Sequence, residues 1–266
     1  MSVPYIATSE ERALHQAISN LTLKIARPLI RYNDKKSWPK LLSGGSCFIL
    51  RFDCGLIGVT ANHVVEVFEA DREENVSNTC LLRTVRFDLL NKIIDRNTDL
   101  DIATFSVTEN ELAESEAQAL DCRGANWPPP KPLESAPISF GGFPEECAIP
   151  SLPTNAVFAG FVSLTYVQDI TQREIIATYD SNRDSRVIID ERLPDVGANL
   201  SGCSGGPVIV HYERNMTHHY CPVGMIIVGA KGEGTGLMAG WDMYRFRRIH
   251  FIQPDGSILI QPSNSF

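Results

Sequence analysis

The N-terminal part of the chain carries a helical pattern of apolar residues. Between residues 13 and 25 apolar side chains recur every three or four positions, a spacing that predicts an amphipathic helix. Thr8 and Glu11 have the spacing of a capping box, and Pro28 follows the last apolar position. The pattern therefore predicts one helix over residues 8–26, and we expect its apolar face to pack against its own domain.

Downstream of Gly44 the pattern changes to short apolar and β-branched runs broken by Gly, Pro and Asn, which is typical of β-strands. The runs occupy residues 46–52, 56–60, 101–107, 137–140, 156–164, 174–179, 187–190, 207–210 and 223–228. An acidic, helix-favouring stretch at 109–120 and a proline-rich segment at 127–132 divide them into two sets, with the prolines as a stiff connector. The pattern predicts an all-β dominated protein with two β-barrel-like halves and a cleft between them.

Composition and charge narrow the classes of partner. The chain of 266 residues is 43% hydrophobic and 21% charged, as expected of a globular protein with a sizeable core. No apolar run approaches the roughly 20 residues of a membrane-spanning helix, so we expect no membrane partner. The net charge of -8 disfavours binding to a phosphate backbone, and we expect no nucleic-acid partner.

The cysteines give no sign of a disulfide framework or a regular zinc motif. The chain has seven, an odd number, without a C-x-x-C pair. The N-terminus lacks the basic start and apolar segment of a secretory signal. A reducing compartment, and hence a cytoplasmic location, is the expectation.

The strongest local motif for chemistry is Gly202-Cys-Ser204-Gly-Gly-Pro207. A serine on a glycine-rich turn can expose its Oγ while neighbouring N–H groups point into one small space, which is how an oxyanion hole is built. A plain hairpin turn would have the same composition. The string also fits the nucleophile elbow of α/β-hydrolases, but the Pro-Val-Ile-Val that follows favours a strand over the helix that an elbow requires.

Two further residues could complete a catalytic constellation. His63 follows an apolar strand, where a loop could present the imidazole as a general base. Asp101 stands at the head of another strand, and a carboxylate beside a histidine fixes its tautomer. Each residue alone is more often structural, but the three together predict a site. Asp99 competes with Asp101 for the acidic role and is better suited to the preceding turn.

These motifs resemble the trypsin-like (chymotrypsin-fold) serine peptidases. His63 in Thr-Ala-Asn-His, Asp101 in Asp-Ile-Ala and Ser204 in Gly-Cys-Ser-Gly-Gly-Pro follow that family's order along the chain. The likeness is greatest to the bacterial HtrA-type stand-alone peptidase domains, whose segments are similar to Gly45-Ser-Cys-Phe-Ile and Gly160-Phe-Val-Ser. It covers about residues 44–240 and implies two six-stranded β-barrels with the active site in their cleft, plus the N-terminal helix.

The resemblance implies a serine endopeptidase that hydrolyses peptide bonds of a protein or peptide substrate. Ser204 would be the nucleophile, His63 the general base and Asp101 the residue that orients it, with the N–H groups of Gly202 and Ser204 as the oxyanion hole. No cofactor or metal is implied. The expected parts are an N-terminal extension (1–43), a first barrel with His63 and Asp101 (44–125), a second barrel with Ser204 (126–255) and a C-terminal tail (256–266).

The resemblance also implies where a substrate binds. The strand that holds Ile227, Val228 and Gly229 would pair with the substrate backbone as an added strand. Ala198 would lie at the base of the side-chain pocket, so we expect small or apolar side chains before the cleaved bond. Cys203 replaces the aspartate of the digestive enzymes, which argues against their kind of zymogen activation.

Four alternatives stay open. The chain could be a trypsin-like binding module without turnover, or an α/β-hydrolase esterase in which His250 replaces His63. It could be an enzyme that is dormant until a regulatory partner protein orders the cleft, with the N-terminal helix as docking surface. A zinc site is a minor alternative for His211, His218, His219 and Cys221, whose polar surroundings favour an exposed hairpin.

Overall fold

The fold is taken from a computed structural model of the chain. It describes residues 8–33, 41–73, 78–124, 127–144, 148–150, 156–158, 160–179, 201–227 and 242–260. Its helices are α1 (Ser9–Ile25), α2 (Asn62–Glu73), α3 (Leu89–Lys92) and α4 (Glu109–Glu114). Its strands are β1 (Arg27–Asn33), β2 (Leu41–Phe52), β3 (Gly55–Thr60), β4 (Asn78–Leu82), β5 (Val85–Arg86), β6 (Ile93–Asn97), β7 (Ile102–Val107), β8 (Leu120–Asp121), β9 (Pro137–Gly142), β10 (Ala148–Pro150), β11 (Ala156–Phe158), β12 (Phe161–Ile170), β13 (Glu174–Tyr179), β14 (Pro207–Arg214), β15 (Thr217–Ile226) and β16 (Asp242–Arg248).

The first half of the chain forms an eight-stranded sheet. Seven strands follow the order β5-β4-β1-β2-β3-β7-β6, and β8 pairs in parallel with β2. Buried aromatic and aliphatic side chains such as Phe48, Leu50 and Phe105 fill its core. Residues 249–258 add Ile249, Phe251 and others to the same core, so this segment packs against the first sheet.

The second half forms a closed barrel of six strands. Its order is β12-β13-β16-β15-β14-β9, with β9 pairing to both β12 and β14. Phe140 and Phe246 pack in a separate core, with 4.8 Å between ring centroids and an angle of 49° between the ring planes. A closed barrel leaves no unpaired edge strand, which removes the usual route to edge-to-edge association. The predicted six-stranded barrel is therefore present here, whereas the described part of the first half is an eight-stranded sheet.

Helix α1 lies against the barrel, as its amphipathic pattern predicts. Thr8 and Glu11 form the capping box at its start. Thr22 lies on the buried face, and its Oγ1 is 2.8 Å from Ser139 Oγ on β9. The helix ends at Ile25, and the chain continues after Ala26 into β1, which pairs with β2. Among the described residues, no helix combines the length and apolar character needed to cross a membrane.

Several elements differ from the sequence prediction in informative ways. The run at 156–164 is divided between β11 and β12, with Gly160 between them. The acidic stretch at 109–120 forms only the six-residue helix α4. Strand β16 was not predicted from the sequence, because Arg245 and Arg247 flank its buried Phe246 and leave no continuous apolar run. The run at 187–190 lies outside the described residues.

Candidate active site

His63 lies at the start of helix α2, not in a loop as the sequence predicted. Strand β3 ends at Thr60, and α2 begins two residues later at Asn62. The first N–H groups of a helix have no partner within the helix, and here Asp101 supplies acceptors for two of them. Asp101 O accepts the N–H of Asn62 at 3.2 Å, and Asp101 Oδ1 accepts the N–H of His63 at 3.0 Å. The acidic residue therefore caps the helix that carries the imidazole.

The turn between β6 and β7 brings Asp101 to this position. Its backbone has a φ of +53°, in the left-handed region that Asp tolerates better than most residues. The N–H of Asp101 donates to Thr98 O at 3.2 Å, and strand β7 starts at the next residue. Asp99, the competing acid, lies in the same turn with its side chain exposed. The structure brings Asp101, and not Asp99, to the imidazole.

The ring of His63 meets the Asp101 carboxylate through Nδ1. Nδ1 lies 2.9 Å from Oδ2 and 3.1 Å from Oδ1. Because a carboxylate only accepts hydrogen bonds, the neutral ring carries its proton on Nδ1 and keeps a lone pair on Nε2. The imidazole is thus prepared to take a proton through Nε2, with its side chain 42% exposed.

The charge state of His63 is set by opposing effects. Burial lowers its pKa, but the hydrogen bond and charge of Asp101 and the charge of Glu66 outweigh burial and leave the pKa raised. The folded state therefore favours the protonated ring. The resulting contribution to stability is complete below the unfolded pKa and is lost as pH rises through the higher folded pKa.

We expect an NMR titration of the His63 ring to show a midpoint above the ordinary 6.5. The Asp101→Asn variant should lower that midpoint, because the attractive negative charge is removed. Asp99→Asn, which changes an exposed side chain of the same turn, is the matched control and should move the His63 midpoint much less than Asp101→Asn. A midpoint at or below 6.5, or one that Asp101→Asn leaves in place, would contradict this account of the pair.

Four polar or charged residues around the start of α2 were missed by the sequence analysis. Asn62, buried at the start of α2, donates from Nδ2 to Glu66 Oε1 at 2.7 Å and accepts from Arg96 Nε at 2.8 Å. Arg96 also pairs with Glu69. Glu66 lies three residues after His63, a spacing that places two residues on one helical face. This spacing indicates that Glu66 lies near His63 only if a helix is predicted over these residues.

The loop at 201–206 carries Ser204 and is fixed from two sides. Ser204 O accepts the N–H of Ser46 on β2 at 2.8 Å. The N–H of Gly205 donates to Ile226 O at 2.8 Å, and the N–H of Ile226 returns a bond to Gly206 O at 2.8 Å. Ser204 is 5% exposed, and Cys203 beside it is fully buried. The loop is therefore anchored on both the first sheet and the barrel.

The Ser204 loop and the start of α2 are in contact. Gly205 packs so closely that a Cβ there would lie 2.5 Å from Thr60 Oγ1 and 2.9 Å from Ala61 N, two residues before His63. No hydrogen bond joins Ser204 Oγ to His63 within the described ranges. The structure thus pairs His63 with Asp101 and brings the serine loop to the same place without a direct serine–histidine bond.

Two backbone donors of the loop have no acceptor within the described part of the chain. The N–H groups of Gly202 and Ser204 form none of its hydrogen bonds, while those of Gly205 and Gly206 are both engaged. Gly202 has a φ of +93°, which glycine adopts without strain. Unengaged donors beside a serine are what an oxyanion-binding site requires.

The structure describes only one of the four residues that were predicted to bind substrate. Ile227, half-buried, follows directly after β15. Ala198, Val228 and Gly229 lie outside the described residues.

The alternative histidine sites have other surroundings. His211 is buried on β14, with Nε2 2.7 Å from Ser139 Oγ and Nδ1 3.1 Å from His218 Nε2. Burial and the charge of His218 lower its pKa to about 4. Across the described residues, no three His, Cys, Asp or Glu side chains form a metal-binding group.

The alternative of an α/β-hydrolase depends on His250 and on the segment after Ser204. His250 is buried, and burial lowers its pKa to about 4. Ser204 is followed by strand β14, not by the helix of a nucleophile elbow.

The fold and these residues define a β-protein with a closed barrel, a second sheet and a His–Asp pair next to a glycine-rich serine loop. A solved structure concerned with the coupled folding and binding of the intrinsically disordered Sesbania mosaic virus VPg protein is similar at a TM-score of 0.40 and 13% identity, covering 84% of this chain and 85% of that one. A scabies mite inactivated protease paralogue is similar at a TM-score of 0.45 and 13% identity, covering 86% of this chain and 90% of that one. No protein-family model and no curated protein matches the sequence. Likenesses this distant carry no argument about activity.

Proposed function

We propose that this protein is a serine endopeptidase of the trypsin-like double-barrel type, acting on peptide bonds through Ser204, His63 and Asp101. In this mechanism His63 Nε2 takes the proton of Ser204 Oγ as the oxygen attacks the carbonyl carbon. The N–H groups of Gly202 and Ser204 bind the negative oxygen of the tetrahedral intermediate. Protonated His63 then gives its proton to the leaving amine, and water releases the acyl group by the same steps.

The observation that carries the proposal is the contact of His63 Nδ1 with the Asp101 carboxylate, at 2.9 Å from Oδ2. The same carboxylate bonds the backbone N–H of His63, so ring and backbone are held by one group. A carboxylate held in this way keeps the imidazole in the tautomer of a general base and stabilises the imidazolium that forms during the reaction. The unengaged N–H groups of Gly202 and Ser204 support the proposal independently.

We propose that the segment that follows β15 takes part in substrate recognition. Ile227, Val228 and Gly229 would bind the substrate backbone by strand addition, which tolerates many sequences. Selectivity would then come from the pocket that holds Ala198, whose small neutral side chain suits small or apolar residues before the cleaved bond. We propose a protein or peptide substrate.

Labelling with a fluorophosphonate probe tests the proposal without knowledge of the substrate. We expect the wild-type protein to be modified at Ser204, as located by mass spectrometry, and Ser204→Ala and His63→Ala to lose the modification. Ser106→Ala, which removes an exposed hydroxyl on β7, is the matched control and should label like wild type. Absence of labelling in the wild type, or labelling that persists in Ser204→Ala, would contradict the proposal.

A second candidate function is a binding module that keeps this architecture without turnover. The observation that favours it is that Ser204 Oγ makes no hydrogen bond to His63. Catalytic hydrogen bonds are often completed only when substrate binds, so this geometry is also compatible with an enzyme. The labelling experiment separates the two, because a module without an activated serine does not react.

A further inference from the structure

Ser46 is a buried serine of β2 that joins three segments around the candidate nucleophile. Its N–H donates to Ser204 O at 2.8 Å, and its Oγ donates to Gly202 O at 2.7 Å. The same Oγ accepts the backbone N–H of Phe143 at 3.0 Å. Its own carbonyl accepts from Thr60 Oγ1 at 2.8 Å, and the residue has no solvent exposure. Every polar group of this residue is thus engaged.

These bonds act on the orientation of successive peptide groups. The carbonyls of Gly202 and Ser204 are held by Ser46, and the carbonyl of Cys203 between them is held by the N–H of Gly206 at 2.9 Å. A peptide group is planar, so the direction of its carbonyl fixes the direction of its N–H. The N–H of Ser204 shares a plane with Cys203 O, which Gly206 holds. The Oγ of Ser46 holds the peptide group between Gly202 and Cys203, which lies directly between the two peptide groups that carry the unengaged N–H groups of Gly202 and Ser204.

The loop needs such a constraint because its glycines do not supply one. Gly202 has a φ of +93° and Gly205 a φ of +86°, and glycine reaches several other conformations at little cost. Cys203, between the two residues whose carbonyls Ser46 holds, is fully buried. Hydrogen bonds from Ser46, outside the loop, therefore add a constraint that the glycines lack.

We propose that Ser46 is a positioning residue of the candidate active site, whose hydroxyl holds the loop at 201–206 so that the N–H groups of Gly202 and Ser204 face the same space. The inference rests on the proposed function, since the direction of these donors affects turnover only if the site binds an oxyanion. Ser46 acts through the loop and does not touch the reacting atoms in this role.

Hydrogen exchange measured by mass spectrometry tests the hold on the loop independently of activity. In Ser46→Ala we expect the amides of Gly205 and Gly206 to exchange about 10-fold faster, because Gly202 O and Phe143 N–H lose their partner. Ser163→Ala is the matched control. Ser163 is equally buried, but its Oγ has no hydrogen-bond partner among the residues that the structure describes, so exchange in the loop should not change. Equal exchange in the two variants would overturn the proposal.

The rate of fluorophosphonate labelling at Ser204 tests the link to chemistry. We expect Ser46→Ala to label about 10-fold to 100-fold more slowly than Ser163→Ala, with kcat reduced and KM little changed once a substrate is known. Ser46→Thr, which keeps the hydroxyl, should recover part of the rate. Equal labelling rates in Ser46→Ala and Ser163→Ala would overturn the positioning role. If wild type does not label while exchange in Ser46→Ala is faster, the proposed function fails and the hold on the loop stands.

Discussion

Asp101→Asn is expected to lower turnover by about 10⁴-fold while leaving the protein folded. In the structure the backbone N–H of His63 donates to Oδ1, and Nδ1 of the ring lies 2.9 Å from Oδ2. An asparagine would place its amide oxygen on the backbone N–H and its NH₂ group against the ring. The neutral ring would then carry its proton on Nε2 and could not accept the proton of Ser204.

Asp99→Asn is the matched control for this substitution. Asp99 lies two residues away in the same turn, with an exposed side chain, so its loss should leave turnover unchanged. Turnover, or the rate of fluorophosphonate labelling when no substrate is known, is measured together with the thermal midpoint of each variant. If Asp99→Asn abolished activity and Asp101→Asn did not, the assignment of the acid would be reversed.

Gly205→Ala is expected to destabilise the fold by about 2–5 kcal/mol, from left-handed strain and overpacking together. The φ of Gly205 is +86°, and a Cβ would lie 2.1 Å from Ser46 O and 2.9 Å from Ala61 N. Both atoms are backbone and cannot move aside without disturbing β2 and the start of α2. The thermal midpoint should fall by at least about 5 °C for a chain of this size.

Gly124→Ala separates the two causes of that loss. Gly124 also has a left-handed φ, at +63°, but its Cβ would meet no atom within 4 Å. Its substitution should therefore cost only the backbone strain, about 1–2 kcal/mol. Equal losses in the two variants would show that the close approach of Gly205 to Ser46 does not determine the stability of the loop.

The sequence was informative where a local pattern is sufficient. The capping box of Thr8 and Glu11 and the apolar spacing predicted helix α1 to within about a residue at each end. Short β-branched runs predicted strands such as β3 and β7, because a strand buried on one or both faces needs only a few such residues. Helix α2 was missed because Val64 and Val65 extend the β-branched run of β3. Its start depends on Asp101, which is distant in sequence.

The candidate site shows the same division. Sequence reasoning selected His63, Asp101 and Ser204 as residue types suited to one reaction, and their catalytic roles stay predictions until the labelling experiment is done. It attached no role to Ser46, because a serine in a strand has no local signature of a hydrogen bond to a loop far along the chain. Its bond to Gly202 O, at 2.7 Å, exists only because sheet and barrel meet there.

By itself, the sequence determined the positions of α1 and of several strands, and it selected a short set of residues whose side chains suit catalysis. Periodicity and residue type act over a few neighbours, and these features depend on little else. The tertiary structure decided that Asp101, not Asp99, meets the imidazole, that His63 begins a helix, and that Ser46 holds the serine loop. Those outcomes depend on strand pairing and loop closure between distant segments, which no local pattern encodes.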